Sequence, residues 1–425
     1  VVIPQTRGQF QAVKSLIERK DVAEIIIATD AGREGELVAR WILAKAGNKK
    51  PLKRLWISSV TDKAIRDGFA HLKNAKEYEN LYHAATARAE SDWLVGINAT
   101  RALTCKYNAQ LSCGRVQTPT LAMIAAREEE IRHFRPKPYY GLQLTGKGII
   151  FTWKDKKSGS SATFSKEKNE EIYKNLSGKT AVVAEVKKTK KTSQAEGLYD
   201  LTDLSRDANQ RFGFSAKQTL NIMQSLYEHH KVLTYPRTDS RYIGTDVVPT
   251  IKERLKACNQ GPYKAYIPAL LRSEIRPNRS FVDDKKVSDH HAIIPTLELE
   301  KADLSELPVG ERNILLLVCR ELLCVVAEPF VYETVTATFT CGGQTFTAKG
   351  RHVLSLGWKD IDRIFRASLK EEPEDEAEPA ALPDFTEGQL FNRVKAAVTE
   401  HFTAPPKAYT EDTLLAAMET AGKDD

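Results

Sequence analysis

Residues 24–29 (EIIIAT) form a continuously apolar, β-branched run that leads without a spacer into the acidic, glycine-bearing string DAGREGE at residues 30–36. That order predicts a short buried strand, a tight turn and then a helix from about residue 34 to 46. Uninterrupted β-branched residues suit a strand covered on both faces, and the glycines let a helix begin close to the strand end. Phe10, Val13, Leu16 and Ile17 recur at helical spacing ahead of the run, and Leu55, Trp56 and Ile57 read as a further strand. The first 60 residues therefore have the pattern of part of a doubly wound α/β sheet.

The rest of the 425-residue chain changes character several times, as a protein of about three domains or one multi-lobed body does. Residues 61–132 are helical in pattern, with Ala64, Ile65, Gly68, Phe69 and Leu72 on one face, and Pro136 and Pro138 stop them. From about 139 to 190, Tyr139, Leu142, Leu144, Ile150, Phe151, Trp153 and Val182 sit among Gly and Ser, which predicts antiparallel strands. Helical periodicity returns from 198 to about 326, and residues 330–358 alternate as strands around the hairpin signal Gly342-Gly343. The two β stretches are read as one discontinuous antiparallel domain carrying a helical domain between them. Residues 371–378, acidic and Pro-containing, are read as a disordered loop.

Composition narrows the function classes. With 41% hydrophobic and 28% charged residues the chain is globular, and no apolar run nears the roughly 18 residues of a membrane span. None of the six cysteines pairs in a two-residue spacing, which argues against a zinc ribbon and for a reducing, cytosolic setting. A net charge of +7 permits a polyanionic partner without demanding one.

Four strings carry chemistry. At the strand end, Asp30 and Glu34 can lie within reach of one divalent cation, for which Mg²⁺ suits carboxylates that must also face phosphate. The alternative is that Asp30 caps the helix and Glu34 is a solvated first-turn acid. In LTYPRTDS (233–240), Pro236 disfavours helical geometry for Tyr235, and Arg237 lies on the same side of an extended backbone. A phenol with a pKa of about 10 needs such a cation beside it to act on phosphate. Thr238, Asp239 and Ser240 can fix loop hydrogen bonds, although any single tyrosine is by default a packing residue. In Ser112, Cys113, Gly114, Arg115, Val116 and Gln117 the glycine allows close approach, Arg115 can grip phosphate and Gln117 can reach a base or sugar. Trp93 and Arg101, eight apart on a predicted helix, can share a face for stacking and phosphate contact, or Trp93 lies in the core and Arg101 in solvent. Finally SDHHAIIPT (288–296) offers His290 or His291 to a phosphate oxygen, though a histidine pair is usually structural.

Taken together, ATDAGREGE at 28–36, SCGRVQTPTL, LTYPRTDS, SDHHAIIPT and PPKAYTEDTLLAAMETAG at 405–422 resemble, in content and order, the type IA DNA topoisomerases. The resemblance implies a four-domain torus with a TOPRIM domain, and Tyr235 attacking one DNA strand to form a 5′-phosphotyrosine link without ATP. It implies Mg²⁺ at Asp30 and Glu34, Arg237 as phosphate stabiliser and His290 as a phosphate contact. Ser112 to Gln117, with Trp93 and Arg101, would line a groove for single-stranded DNA. The implied substrates are negatively supercoiled or catenated DNA, acted on by a monomer in the bacterial cytoplasm, nucleoid- or plasmid-associated, with no membrane partner.

On this reading the segments are a partial TOPRIM domain (1–60), a helical DNA-groove domain (61–137), the β domain (138–197 and 329–402), a helical domain carrying the tyrosine (198–328) and a second groove segment (403–425). Two departures stand out. Gly32 occupies a position where many family members carry a second Asp, and the family's first TOPRIM strand would precede Val1, so the chain is expected to be an internal fragment, cut also at Asp425. Two rival readings are a tyrosine-dependent nickase of plasmid transfer and a non-enzymatic single-stranded-nucleic-acid-binding module. The nickase predicts clustered metal-binding histidines, which the spacing of His229, His230, His290 and His291 does not provide.

Overall fold

A computed structural model describes residues 2–176, 178–369 and 382–422; the acidic run at 371–378 lies outside the described residues. The chain divides into two compact units. One comprises Val1–Ile124, Glu196–Val326 and Tyr409–Asp425, and the other Ala125–Ala195 and Ala327–Ala408. Among the described residues no helix is long and apolar enough to cross a membrane.

In the first unit, strand Ile25–Ile27 pairs in parallel with Leu52–Arg54, which pairs antiparallel with Lys73–Asn74. Helix Arg33–Ala46 makes the crossover, and Ile17, Ile27, Ala39, Leu43 and Ala46 close a small core. The strand expected at Leu55, Trp56 and Ile57 instead lies three residues earlier. Ile25 N donates to Pro51 O, and Leu55 N makes the last bond to Ile27 O, both at 2.9 Å. Trp56 then leaves the sheet to stack on Tyr78, ring centroids 4.5 Å apart, with the Arg54 guanidinium 4.9 Å over its ring. The observed sheet is thus small and mixed, one parallel strand–helix–strand unit with an antiparallel edge strand.

Arg54 explains this register. Its side chain is fully buried, so every guanidinium donor needs a partner. Nε donates to Glu36 Oε2 at 2.9 Å, Nη1 to Thr29 O and Leu55 O at 2.7 Å, and Nη2 to Asp30 O. Glu36, equally buried, takes a second ion pair from Arg40 at 2.9 Å.

Two long helices, Glu79–Tyr107 and Gln117–His133, follow. Within 196–326, helices Leu201–Phe212 and Ala216–Glu228 pack beside Val309–Val326, buried from Ile314 to Val325, and irregular segments near residues 229–250 and 273–296 connect the helices. Helix Glu411–Thr420 docks on Leu201–Phe212 through Asp412, which accepts from Arg206 Nε at 2.7 Å and Gln210 Nε2 at 2.6 Å.

The second unit is built on an antiparallel sheet of eight strands among the described residues, drawn from both β stretches of the sequence. Its longest pairings join Ala181–Ser193 to Phe330–Cys341 and the latter to Gln344–Ser355. Gly342 and Gly343, with φ of 55° and 75°, make the two-residue turn that a right-twisted hairpin requires. Phe151 stacks on Phe339 at 4.0 Å, and Phe391 meets both edge-on.

Arg54→Met is expected to cost about 3–5 kcal/mol, because it leaves Glu36 and four carbonyls short of a buried donor. Replacing Glu36 by Leu as well should recover part of that loss. Urea denaturation checks both, and a loss under about 1 kcal/mol for Arg54→Met would show that the pair does not hold the fold.

Candidate functional site

Three segments of the first unit meet around His290. The acidic turn is held from beneath by Arg54, and Thr29 Oγ1 closes it by donating to Gly35 O at 2.8 Å. A β-carbon on Gly35 would lie 2.2 Å from Asp30 O, so the turn admits only glycine there. The helix that follows has Gly32 as its N-cap, with no side chain capping it; Asp30 is therefore not the helix cap. Its carboxylate is 59% exposed and faces His290, Nε2 to Oδ2 3.7 Å.

The tyrosine and histidine segments are zipped together by threonines and main chain. Thr234 N donates to Ile294 O at 3.0 Å and its hydroxyl to Ala292 O at 3.2 Å, while Ile294 N returns a bond to that hydroxyl at 3.0 Å. Thr238 Oγ1 donates to His290 O at 3.0 Å, and Ser288 Oγ donates to Asp239. The loop role read from Thr238, Asp239 and Ser240 is what the side chains perform. Tyr235 lies beside this seam, its ring 4.3 Å from that of His290 and edge-on to Tyr227 at 5.5 Å.

Electrostatics favour the protonated phenol. Burial pushes the Tyr235 pKa above its ordinary value and the Asp30 charge adds to that, while Arg237 pulls the other way. The Arg237 side chain is exposed. The two histidines divide as the sequence could not decide. His291 is buried, its Nδ1 2.7 Å from Ala292 O, and burial holds it below the usual imidazole range; His290 faces the site. His230 lies 3.0 Å from Glu311, away from this cluster.

Glu34 is not brought to His290: its side chain is 73% exposed and 3.8 Å from Arg88, the solvated first-turn arrangement. Among the described residues no three His, Cys, Asp or Glu side chains are grouped to hold a metal ion. The donor chemistry still fits Mg²⁺, which keeps most of its waters and takes one or two carboxylates together with phosphate oxygens. Asp30, in the turn, and Glu34, in the first turn of the helix, are hard, water-accessible oxygen donors.

The groove residues form a second surface. Segment 111–118 is pinned to helix Glu79–Tyr107 by two hydroxyls that sequence reasoning missed. Thr100 Oγ1 accepts from Cys113 N at 2.9 Å, and Thr104 Oγ1 exchanges bonds with Leu111. Gly114 N donates to Thr118 Oγ1 at 3.0 Å, and Gln117 lies against Gly114. Ser112, Val116, Gln117 and Arg101 are exposed, and Trp93, 64% exposed, is not a core residue. Arg115 is engaged by Asp92 through bonds of 2.6 and 3.1 Å, which lowers the Asp92 pKa. Asp92 was missed, although it stands next to Trp93; Asp289, missed too, stands next to His290.

An acidic turn facing a half-buried tyrosine and histidine thus shares the first unit with a helix that exposes Trp93 and Arg101. The family model described as DNA topoisomerase matches residues 76–422, and the chain belongs to that family. It is 54% identical to DNA topoisomerase 3 of Bacillus licheniformis over 420 residues, 99% of this chain and 57% of that protein. It is also 54% identical to DNA topoisomerase 3 of Bacillus subtilis over 419 residues, with the same coverage. The chain thus spans a little over half the length of these relatives. Topoisomerase I from Thermotoga maritima shares the fold, with a TM-score of 0.70 at 24% identity over 99% of this chain and 67% of that one.

Thr238→Val keeps the shape of a buried side chain but removes the donor to His290 O and the acceptor for Ser240 N. The expected loss is about 1–3 kcal/mol in thermal or urea denaturation. A change below about 0.5 kcal/mol would mean that the seam does not depend on this hydroxyl.

Proposed function

We propose that this chain is the strand-cleaving part of an ATP-independent type IA DNA topoisomerase, which opens one DNA strand, passes another through and reseals it, relaxing negative supercoils or decatenating DNA. The observation that carries this reading is Tyr235 itself. It is a half-buried phenol on a non-helical segment, with the His290 ring at 4.3 Å and the exposed guanidinium of Arg237 two residues on.

In the proposed step the Tyr235 oxygen attacks phosphorus. The bond from phosphorus to the tyrosine oxygen forms as the bond to the 3′ oxygen breaks; the phenol loses a proton and the departing 3′ oxygen gains one. One phosphate ester replaces another of similar energy, so the reverse attack reseals the strand without ATP. Arg237 offers a planar fork to the equatorial oxygens where charge grows. His290, between Tyr235 and Asp30, is placed to donate to a non-bridging oxygen. Mg²⁺, when held by Asp30 and Glu34, would supply positive charge toward the DNA phosphates. Trp93 offers a face for a base, and Arg101, Arg115, Gln117 and the segment Ser112 to Val116 offer contacts to a single strand.

Tyr235→Phe removes one oxygen and should abolish the denaturation-resistant adduct between full-length polypeptide and single-stranded DNA. An adduct formed by the Phe variant would sink the assignment. Arg237→Ala should slow adduct formation by about 10²–10³-fold with little change in DNA affinity, since the fork acts on transition-state charge.

The groove makes a separate prediction. Asp92→Asn releases Arg115 for phosphate, so single-strand affinity should rise and its salt dependence steepen by roughly 0.7 log unit per log unit of salt. Fluorescence anisotropy across a salt series measures it, and an unchanged slope would show that Arg115 does not meet phosphate.

A further inference from the structure

We infer that Gly32 and Asp289 are a size-matched docking pair that seats the histidine segment on the acidic turn, making Asp289 a positioning residue for His290. This rests on the reading of Tyr235 as nucleophile and extends it to how the site closes.

Gly32 has φ −159° and ψ −178°, an extended conformation open to any residue, so the backbone gives no reason for glycine. The reason is spatial. A β-carbon at Gly32 would lie 1.7 Å from Asp289 Oδ2 and 2.1 Å from Asp289 Cγ, both far inside contact distance. The Asp289 carboxylate therefore occupies the volume that any other side chain at position 32 would need. It does so at the N-terminus of helix Arg33–Ala46, which has no side-chain cap of its own and favours negative charge. Arg33 adds attraction from the same turn, and His290 adds it from the next residue. Burial, with the charges of Asp239 and Asp30, outweighs these attractions and raises the Asp289 pKa above its ordinary value, so the seat is a fit of shape and not a deep ion pair. Its consequence follows from sequence adjacency. With Asp289 seated on Gly32, the neighbouring His290 is brought 3.7 Å from Asp30, and Tyr235, 4.3 Å from it ring to ring, comes with it. Were the seat blocked, the histidine segment would have to lift from the acidic turn, although its bonds to the tyrosine segment remain.

A double-mutant cycle in the full-length polypeptide tests this, with rate of covalent capture of single-stranded DNA, thermal midpoint and amide hydrogen exchange as readouts. Gly32→Ala, which wedges the seat, should slow capture about tenfold; Asp289→Ala, which empties it, about threefold; the double variant should match Asp289→Ala within about twofold, because no clash remains to relieve. Exchange of amides 286–292 should quicken in Gly32→Ala and return in the double variant, with thermal midpoints little changed. Should Gly32→Ala fail to fold, Asp289→Glu imposes the same overlap from the other side and should behave alike. Multiplicative losses in the double variant, or a Gly32→Ala protein with unaltered exchange and capture, would overturn the pairing. The exchange readout does not depend on Tyr235, so an adduct formed by Tyr235→Phe would remove the nucleophile assignment while leaving the docking to be judged separately.

Discussion

A buried guanidinium cannot be left with idle donors, and the first unit is arranged around meeting that demand at Arg54. The side chain gathers Glu36 from the crossover helix and main-chain oxygens from Ile27, Thr29, Asp30 and Leu55. Strand end, acidic turn and helix start are thereby tied to one point. Because breaking a buried charged pair is far more costly than forming it is favourable, the arrangement acts as a constraint on geometry more than as a source of stability. The exposed carboxylate of Asp30 inherits its position from this hidden cluster.

The opposing half of the site is held by weaker and more numerous bonds. Thr234, Thr238 and Ser288 stitch the tyrosine segment to the histidine segment, so Tyr235 and His290 move as one body. The two halves meet across Asp30–His290 and Gly32–Asp289, which are charge and shape contacts without a hydrogen bond between them. Burial, with the Asp30 charge adding to it, raises the Tyr235 pKa above its ordinary value and so favours the protonated phenol.

The groove follows a different logic. Its backbone is fixed by the hydroxyls of Thr100 and Thr104, while its charge is held in reserve. Arg115 is paired with Asp92 on an exposed surface, where such a pair adds little to stability. Trp93 presents its ring to solvent on the same helix, beside that acid.

Much was legible in the linear order of residues. The apolar run before the acidic string set a strand, a turn and a helix, because β-branched continuity and glycine placement act locally. Gly342-Gly343 set a hairpin because two positive φ angles in succession need glycine. Tyr235 stands outside any helix, as Pro236 implied, and family membership followed from five strings in order. What local pattern cannot carry is who meets whom across the fold. Leu55, Trp56 and Ile57 read as a strand on hydropathy, yet the buried charge of Arg54 decided the register. Arg115 read as a free cation until Asp92, 23 residues earlier, came within 2.6 Å. His290 and His291 were indistinguishable neighbours until packing buried one and turned the other to Asp30. Gly32 looked like a missing acid, and tertiary structure filled its space with Asp289 from 257 positions away. Local sequence thus determined the elements and the chemical types at their ends. Long-range packing alone decided the partners, because burial and charge pairing are properties of the assembled volume and not of any window along the chain.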